Sequence, residues 1–370
     1  MRDLLAEQLL AEVMGWKPAD VAAERALLRA LADHKYDDYQ QFTPGMRFLE
    51  SLAYWLDQFT EPNERQIMYD FFKSRLVFFS SSEINHLVSI AYPDHVRPVL
   101  LARAGQQAGL NPWHVGKIAA TMDFRALERQ TLFLGLSDGA RTDVFRRANT
   151  QDLTHEQVRQ SHEVAEPRVG KLLEKLSKGL TDILGKKPSN QSCHFRSIVL
   201  LDDFSASGLS YIRSEKEGYE GKIGSFLSLL FSDGSTVGQL IDPKDLQILV
   251  VLYMATDSAK RYLESHLTAI CNPRGAASRV IVVYPLSKDI TIAKGDDPRL
   301  DAIIEKYYDS DNETDSTRIG GTDLKYGFAA CGLPLALSHN APNNSLGLLW
   351  AEGSNMRPLF PRITRHKDRV

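Results

Sequence analysis

Three short apolar runs constrain the fold of this chain more than any other feature: SIVLL at 197–201, QILVVLYM at 247–254 and RVIVVY at 279–284. Each is rich in β-branched residues, and the segments between them are long enough for a crossover helix. Strands that are apolar on both faces belong in a sheet covered on both sides, and crossovers of this length join parallel neighbours. The segment after the second run fits a covering helix, with Ala259, Tyr262, Leu263 and Leu267 on one side. An earlier run, TLFLGL from Thr131, ends in Ser137-Asp138-Gly139-Ala140 and leads into a helix from Arg141. A polar helix is expected over about 155–184, followed by a loop at 185–194 (GKKPSNQSCH). The expected fold class is therefore α/β with a mostly parallel sheet.

The chain before Thr131 reads as helical. Leucines and alanines recur at helical spacing over 3–14 and 19–33. Thr43 and Pro44 have the character of an N-cap and a first helical position, with Met46, Leu49, Leu52 and Leu56 on one face behind them. A helix is expected over 63–77, another at 111–121, and Ser80 with Glu83 has capping-box spacing. This gives two expected domains, a helical one over 1–124 and an α/β one over 125–370. Within the second, 295–322 is acidic and Gly-rich around a helix at Leu300–Tyr308, and 330–361 reads as strand and loop.

Composition narrows the function classes. The net charge is −3, which gives no global pull toward nucleic acid or an anionic membrane. Cys193, Cys271 and Cys331 are far apart and form no CxxC, so a thiolate metal cage or disulfide framework is not expected, and a reducing compartment fits. No apolar stretch reaches about 18 residues, and acids interrupt the leucines of the first segment, unlike a secretory signal. The expectation is a cytoplasmic protein without a membrane partner. There is no GxxxxGK[ST] and no HExxH. Trp16, Trp55 and Trp113 read as core residues, and the basic end (Arg362, Arg365, His366, Lys367, Arg369) as a solvated terminus.

The chemistry is concentrated in IVLLDDFSASGLS, 198–210. A buried strand runs into two acids, a turn of small residues and an expected helix start. Ligands of parallel sheets sit at the carboxyl ends of the strands. Asp202 and Asp203 at such an end suit the two hydroxyls of a ribose, or a Mg²⁺ carried by it. The turn Phe204–Gly208 aims backbone N–H groups in one direction, and a helix N-terminus behind it would complete a phosphate site. Ser205, Ser207 and Ser210 add hydroxyls, Ala206 is small, and Gly208 permits close approach. The same residues also suit a plain strand-to-helix turn capped by Asp and Ser.

This segment resembles the phosphoribosyl-diphosphate motif of type I phosphoribosyltransferases, on Ile198–Leu201, the acid pair, and Ala206, Ser207, Gly208 and Ser210. Phe204 and Ser205 depart from it, and the turn lacks the acid that serves some transferases as general base. The resemblance implies that Asp202 and Asp203 hold ribose hydroxyls, with Mg²⁺ through the ligand. It implies that Ser205–Gly208 hold the 5′-phosphate. It also puts the diphosphate loop at Ser137, Asp138, Gly139 and Arg141, where the arginine fork suits phosphate.

The stretch LSHNAPNNSLGLLW (337–350) is similar to the tail of phosphoribosyltransferase-like proteins of bacterial conflict and antiphage systems. His339 can move a proton near neutral pH, and Asn340, Asn343 and Asn344 could read a base or acceptor, or serve only the turn backbone. The resemblance implies an effector that acts at the anomeric carbon of a phosphoribosyl donor and is held by a protein partner. Two other readings stand beside it. One is a non-catalytic nucleotide or phosphoribosyl sensor; the other is a structural partner of an ATPase or nucleic-acid complex.

Overall fold

The computed structural model describes residues 2–164, 166–189, 193–216, 218–353 and 356–362. Arg365, His366, Lys367 and Arg369 of the basic end lie outside the described residues. Nine strands are assigned among those described: β1 (Val77–Phe79), β2 (Thr131–Gly135), β3 (Val158–Gln160), β4 (Ser197–Ser205), β5 (Arg213–Glu215), β6 (Gly218–Glu220), β7 (Gln247–Thr256), β8 (Ala277–Leu286) and β9 (Leu335–Leu337).

By its contacts the chain divides otherwise than at the expected 124/125 boundary. One compact unit is Ile84–Leu286; the other joins Met1–Glu83 to Ser287–Val370. In the joined unit β1 pairs in parallel with β9, which ties the helices before residue 84 to the far end of the chain. Tyr36, Phe48, Phe78 and Phe360 share one buried aromatic cluster there. The N-terminal helices therefore complete their core with C-terminal residues.

The contiguous unit carries the main sheet. Its five strands are all parallel, in the order β3-β2-β4-β7-β8. All four runs expected as strands are present, and their residues are almost wholly buried in β2, β4 and β7. This is the signature of a sheet covered on both faces. The covering helices include Asp257–Cys271, which buries Ala259, Leu263 and Leu267 as its spacing requires.

Several local expectations are corrected. Residues 155–184 are not one helix: β3 occupies 158–160 between two short 3-10 turns, and the helix is Glu166–Leu184. Thr43-Pro44 forms a turn closed by the Met46 amide on the Thr43 carbonyl, and the helix starts at Phe48. The capping box is real, with Ser80 N–H donating to Glu83 and Glu83 N–H to the Ser80 hydroxyl. Residues 111–121 hold only a short helix, Val115–Ala119. Trp55 is fully buried, whereas Trp113 is 89% exposed and is no core residue. No helix among the described residues is long and apolar enough to cross a membrane.

Candidate functional site

The strand order places a crevice. The chain steps from β2 outward to β3, then returns across β2 to β4, so the direction of winding reverses between β2 and β4. In an open parallel sheet the loops leaving two such strands diverge, and the gap at their carboxyl ends receives ligands. The two segments singled out in the sequence meet there. The Leu136 amide bonds the Leu201 carbonyl, extending the β2–β4 ladder by one residue. The Ser137 hydroxyl donates to Asp202 Oδ1 at 2.5 Å. A side chain added at Gly139 would lie 2.5 Å from Asp203 Oδ2, so this loop passes close against the second acid and a larger residue would have to displace its carboxylate. Behind the loop, the Tyr253 hydroxyl on β7 donates to the Ala140 carbonyl at 2.6 Å. Asp138 is exposed.

Arg141 ends the loop with φ 45° and ψ 47°, a left-handed conformation that a non-glycine residue adopts at a cost of about 1 kcal/mol or more. Its guanidinium donates to Asn85 Oδ1 at 2.7 Å. Backbone strain held in place by surrounding contacts is common where a loop meets a ligand.

The two acids differ in their surroundings. β4 stays extended through Ser205, and adjacent strand residues point to opposite faces. Asp202 is fully buried and Asp203 half-buried. Asp202 Oδ2 accepts from Lys222 Nζ at 2.6 Å, and that ammonium lies 5.0 Å from the centre of the Tyr211 ring. Burial, and then the neighbouring Asp203 charge, push the Asp202 carboxyl above its usual range, against the pull of Lys222 and Ser137. Burial together with both acids raises Tyr211 and Tyr253 well above an ordinary phenol, so both remain neutral hydrogen-bond donors.

The turn after the acids corrects the expected helix start. Residues 206–211 are bends and turns, the antiparallel hairpin β5–β6 follows, and the helix begins only at Gly221 (Gly221–Leu230). The Gly208 amide donates to the Ser205 hydroxyl at 3.2 Å and the Leu209 amide to Ser207 at 3.3 Å. Gly208 has φ 82°, and a side chain there would strike the Tyr262 ring. The helix end adjoining this turn is that of Asp257–Cys271. Its N-cap Thr256 accepts from the Ala259 amide and donates to the Ala206 carbonyl at 2.6 Å. Ser210 is exposed, and its carbonyl accepts the Lys222 amide.

The histidine–asparagine segment lies in the other compact unit, at the turn after β9. Leu337 and Asn340 exchange backbone hydrogen bonds, and the His339 carbonyl accepts from Gln41 at 2.8 Å. The Asn343 carbonyl accepts the Phe328 amide. Asn344 is buried and donates its side-chain amide to the Phe328 carbonyl. Asn344 therefore supports loop backbone.

Magnesium meets a mixed reception. Each oxygen of Asp202 already accepts a hydrogen bond, one of them from a cation, so a metal at Asp202 would compete with Lys222 for Oδ2. No group of three or more His, Cys, Asp or Glu gathers as a metal cage among the described residues. Asp203 fits the lesser role of a single carboxylate facing a Mg²⁺ carried by phosphate groups.

Lys222, Tyr211, Tyr253 and Asn85 were not singled out from the sequence. Tyr253 carried a signal: a tyrosine within a wholly buried strand must find a hydrogen-bond acceptor. Lys222 carried none, since its approach depends on the hairpin. The family model PRTase-CE matches residues 52–362, most of the chain. Neither the curated proteins nor the solved structures contain a match. The chain belongs to the PRTase-CE family and is a phosphoribosyltransferase-like protein.

Proposed function

We propose that the β2–β4 crevice binds a phosphoribosyl donor and that the protein breaks the bond between its anomeric carbon and diphosphate. The observation that carries this is the convergence of two segments 65 residues apart at the reversal of the sheet, joined by the Ser137–Asp202 hydrogen bond. In this reading Asp203 meets the ribose and a Mg²⁺ brought by the diphosphate. The Ser205–Gly208 turn faces the 5′-phosphate, and Arg141 with the 137–139 backbone faces the diphosphate. The C1–O bond breaks with its electron pair leaving on diphosphate, and a lone pair of the acceptor forms the new bond to C1. Positive charge develops on the sugar, and fixed carboxylates favour it. The resemblance of 337–350 supports extending the proposal to an antiphage effector with a protein partner.

A second reading, binding without chemistry, is favoured by one observation: the 204–208 turn holds no acid to take a proton from an acceptor. Calorimetric titration with phosphoribosyl diphosphate and Mg²⁺ tests both. Asp202→Asn with Asp203→Asn should weaken binding roughly 10- to 100-fold, the worth of one or two charge-assisted hydrogen bonds. Diphosphate release on incubation then separates catalysis from sensing. A folded wild-type protein that binds no donor refutes both readings.

A further inference from the structure

The Asp202–Lys222 pair asks what an ammonium is doing where a sugar-phosphate ligand and its metal are expected. The hairpin supplies the means. β5 and β6 return the chain to the motif turn in a register that pairs Arg213 with Glu220, reinforced by their 2.9 Å ion pair. Gly221 follows with φ 91°, and a side chain there would lie 2.6 Å from the Tyr211 carbonyl oxygen. Only glycine lets the chain turn this closely into the helix. Lys222 is thereby placed in the first helical turn, its amide on the Ser210 carbonyl at 3.2 Å and its ammonium on Asp202 at 2.6 Å.

The side chain of Lys222 remains 30% exposed, whereas its partner Asp202 is fully buried. The ammonium is held by Asp202 and lies over the Tyr211 ring, on a side chain that as a whole keeps access to solvent. An ammonium has three N–H donors, and Asp202 uses one direction. We propose that Lys222 supplies here the positive charge that a divalent cation would otherwise supply beside the ribose, with Asp202 as the residue that fixes it. The inference rests on the phosphoribosyl reading above and names the residue that gives the site its affinity for an anionic sugar. Asp202 is then an anchor for the cation, and sugar phosphates without a diphosphate bind without metal.

The probe is ribose 5-phosphate, which lacks the diphosphate that would recruit Mg²⁺, titrated into the full chain in chelator and again in Mg²⁺. Wild-type affinity is expected to agree within about twofold between the two conditions. Lys222→Gln keeps a hydrogen bond to Asp202 and removes the charge, and should bind at least roughly tenfold more weakly. Lys222→Ala frees Asp202 and should recover affinity when Mg²⁺ is added, a gain that a merely structural lysine does not produce. If Lys222→Ala does not fold, Lys222→Gln decides alone. Chelator-sensitive binding by wild type, or unchanged binding by folded Lys222→Gln, overturns the inference and leaves the phosphoribosyl reading standing. Absence of wild-type binding to both ribose 5-phosphate and phosphoribosyl diphosphate overturns that reading instead.

Discussion

A fully buried carboxylate paired with a lysine and lying next to a second acid is an expensive arrangement unless something outside the fold uses it. Burial, then Asp203, raises the Asp202 carboxyl above its unfolded value. A group whose pKa is higher folded than unfolded holds its proton more tightly in the native state. Its contribution to stability is complete below the ordinary value of about 3.9 and is lost as the pH rises through the folded value. Asp202→Asn removes that ionisation, keeps the shape, and leaves Lys222 able to turn toward water. In urea denaturation at pH 7 the variant should be at least as stable as wild type, with the difference shrinking in acid. A loss of several kcal/mol at pH 7 would mean that the ion pair serves the fold and not a ligand. Other residues at the site divide by how local their signal is. The acids, the glycines and Arg141 were legible because a strand end followed by small residues has few uses. Lys222 was not, because its partner is brought to it by a hairpin whose register no local pattern announces.

Elements long enough to repeat a pattern were legible, and short ones were not. β2, β4 and β7 appear as apolar runs because each is buried on both faces, and the edge strand β8 keeps such a run only in its middle, where Val280, Ile281 and Val283 are buried. β1, β3 and β9 have three residues each and too little length for a period. The hairpin was hidden for a further reason: its exposed residues obey turn chemistry, and a helix start after the motif was the shorter hypothesis. At the opposite ends of the strands from the acids, one arginine locks several elements together. Arg103, on the helix Arg97–Gln107, donates to the Arg196 carbonyl at the start of β4. It also donates to the carbonyl and carboxylate of Asp245 before β7. Asp245 pairs with Arg196 as well; burial opposes its ionisation, but the two arginines hold its carboxyl below the usual range. The sign is opposite to that of Asp202, so this clamp weakens as the pH falls. Arg103→Ala leaves two backbone carbonyls without their donor and should cost roughly 2 kcal/mol. Arg103→Lys should recover only part of this, since a lysine cannot make the fork. Ribose 5-phosphate binding by the folded variants should match wild type; a parallel loss of binding would show that the two ends of the strands are coupled.

At the scale of the whole chain, the two ends make one unit and the middle makes the other. The N-terminal helices look self-sufficient in sequence because their faces are apolar and regular, yet the partners of those faces lie some 300 residues away. The Trp55 indole donates to the Leu348 carbonyl at 2.8 Å, Ser51 to the Leu359 carbonyl at 2.8 Å, and the Tyr39 hydroxyl to the Pro361 carbonyl at 2.6 Å. Phe360 is fully buried among Tyr36, Tyr39, Phe48 and Phe78. Periodicity reports that a face must be covered and is silent on what covers it, so the division by contacts at Ile84 and Leu286 has no local sign in the sequence. Hydrogen exchange gives the test. A chain ending at Leu286 should lose amide protection in Phe48–Asp57 and Pro62–Arg75, whose core it no longer contains, and retain it in β2, β4 and β7, whose sheet is whole within Ile84–Leu286. Phe360→Ala in the full chain should reproduce the pattern in milder form, at a cost of about 3–5 kcal/mol for an emptied aromatic site. Persistent protection of 48–75 in the shortened chain would show that the helices close their own core. The division at 124/125 would then be the better account of how this molecule is built.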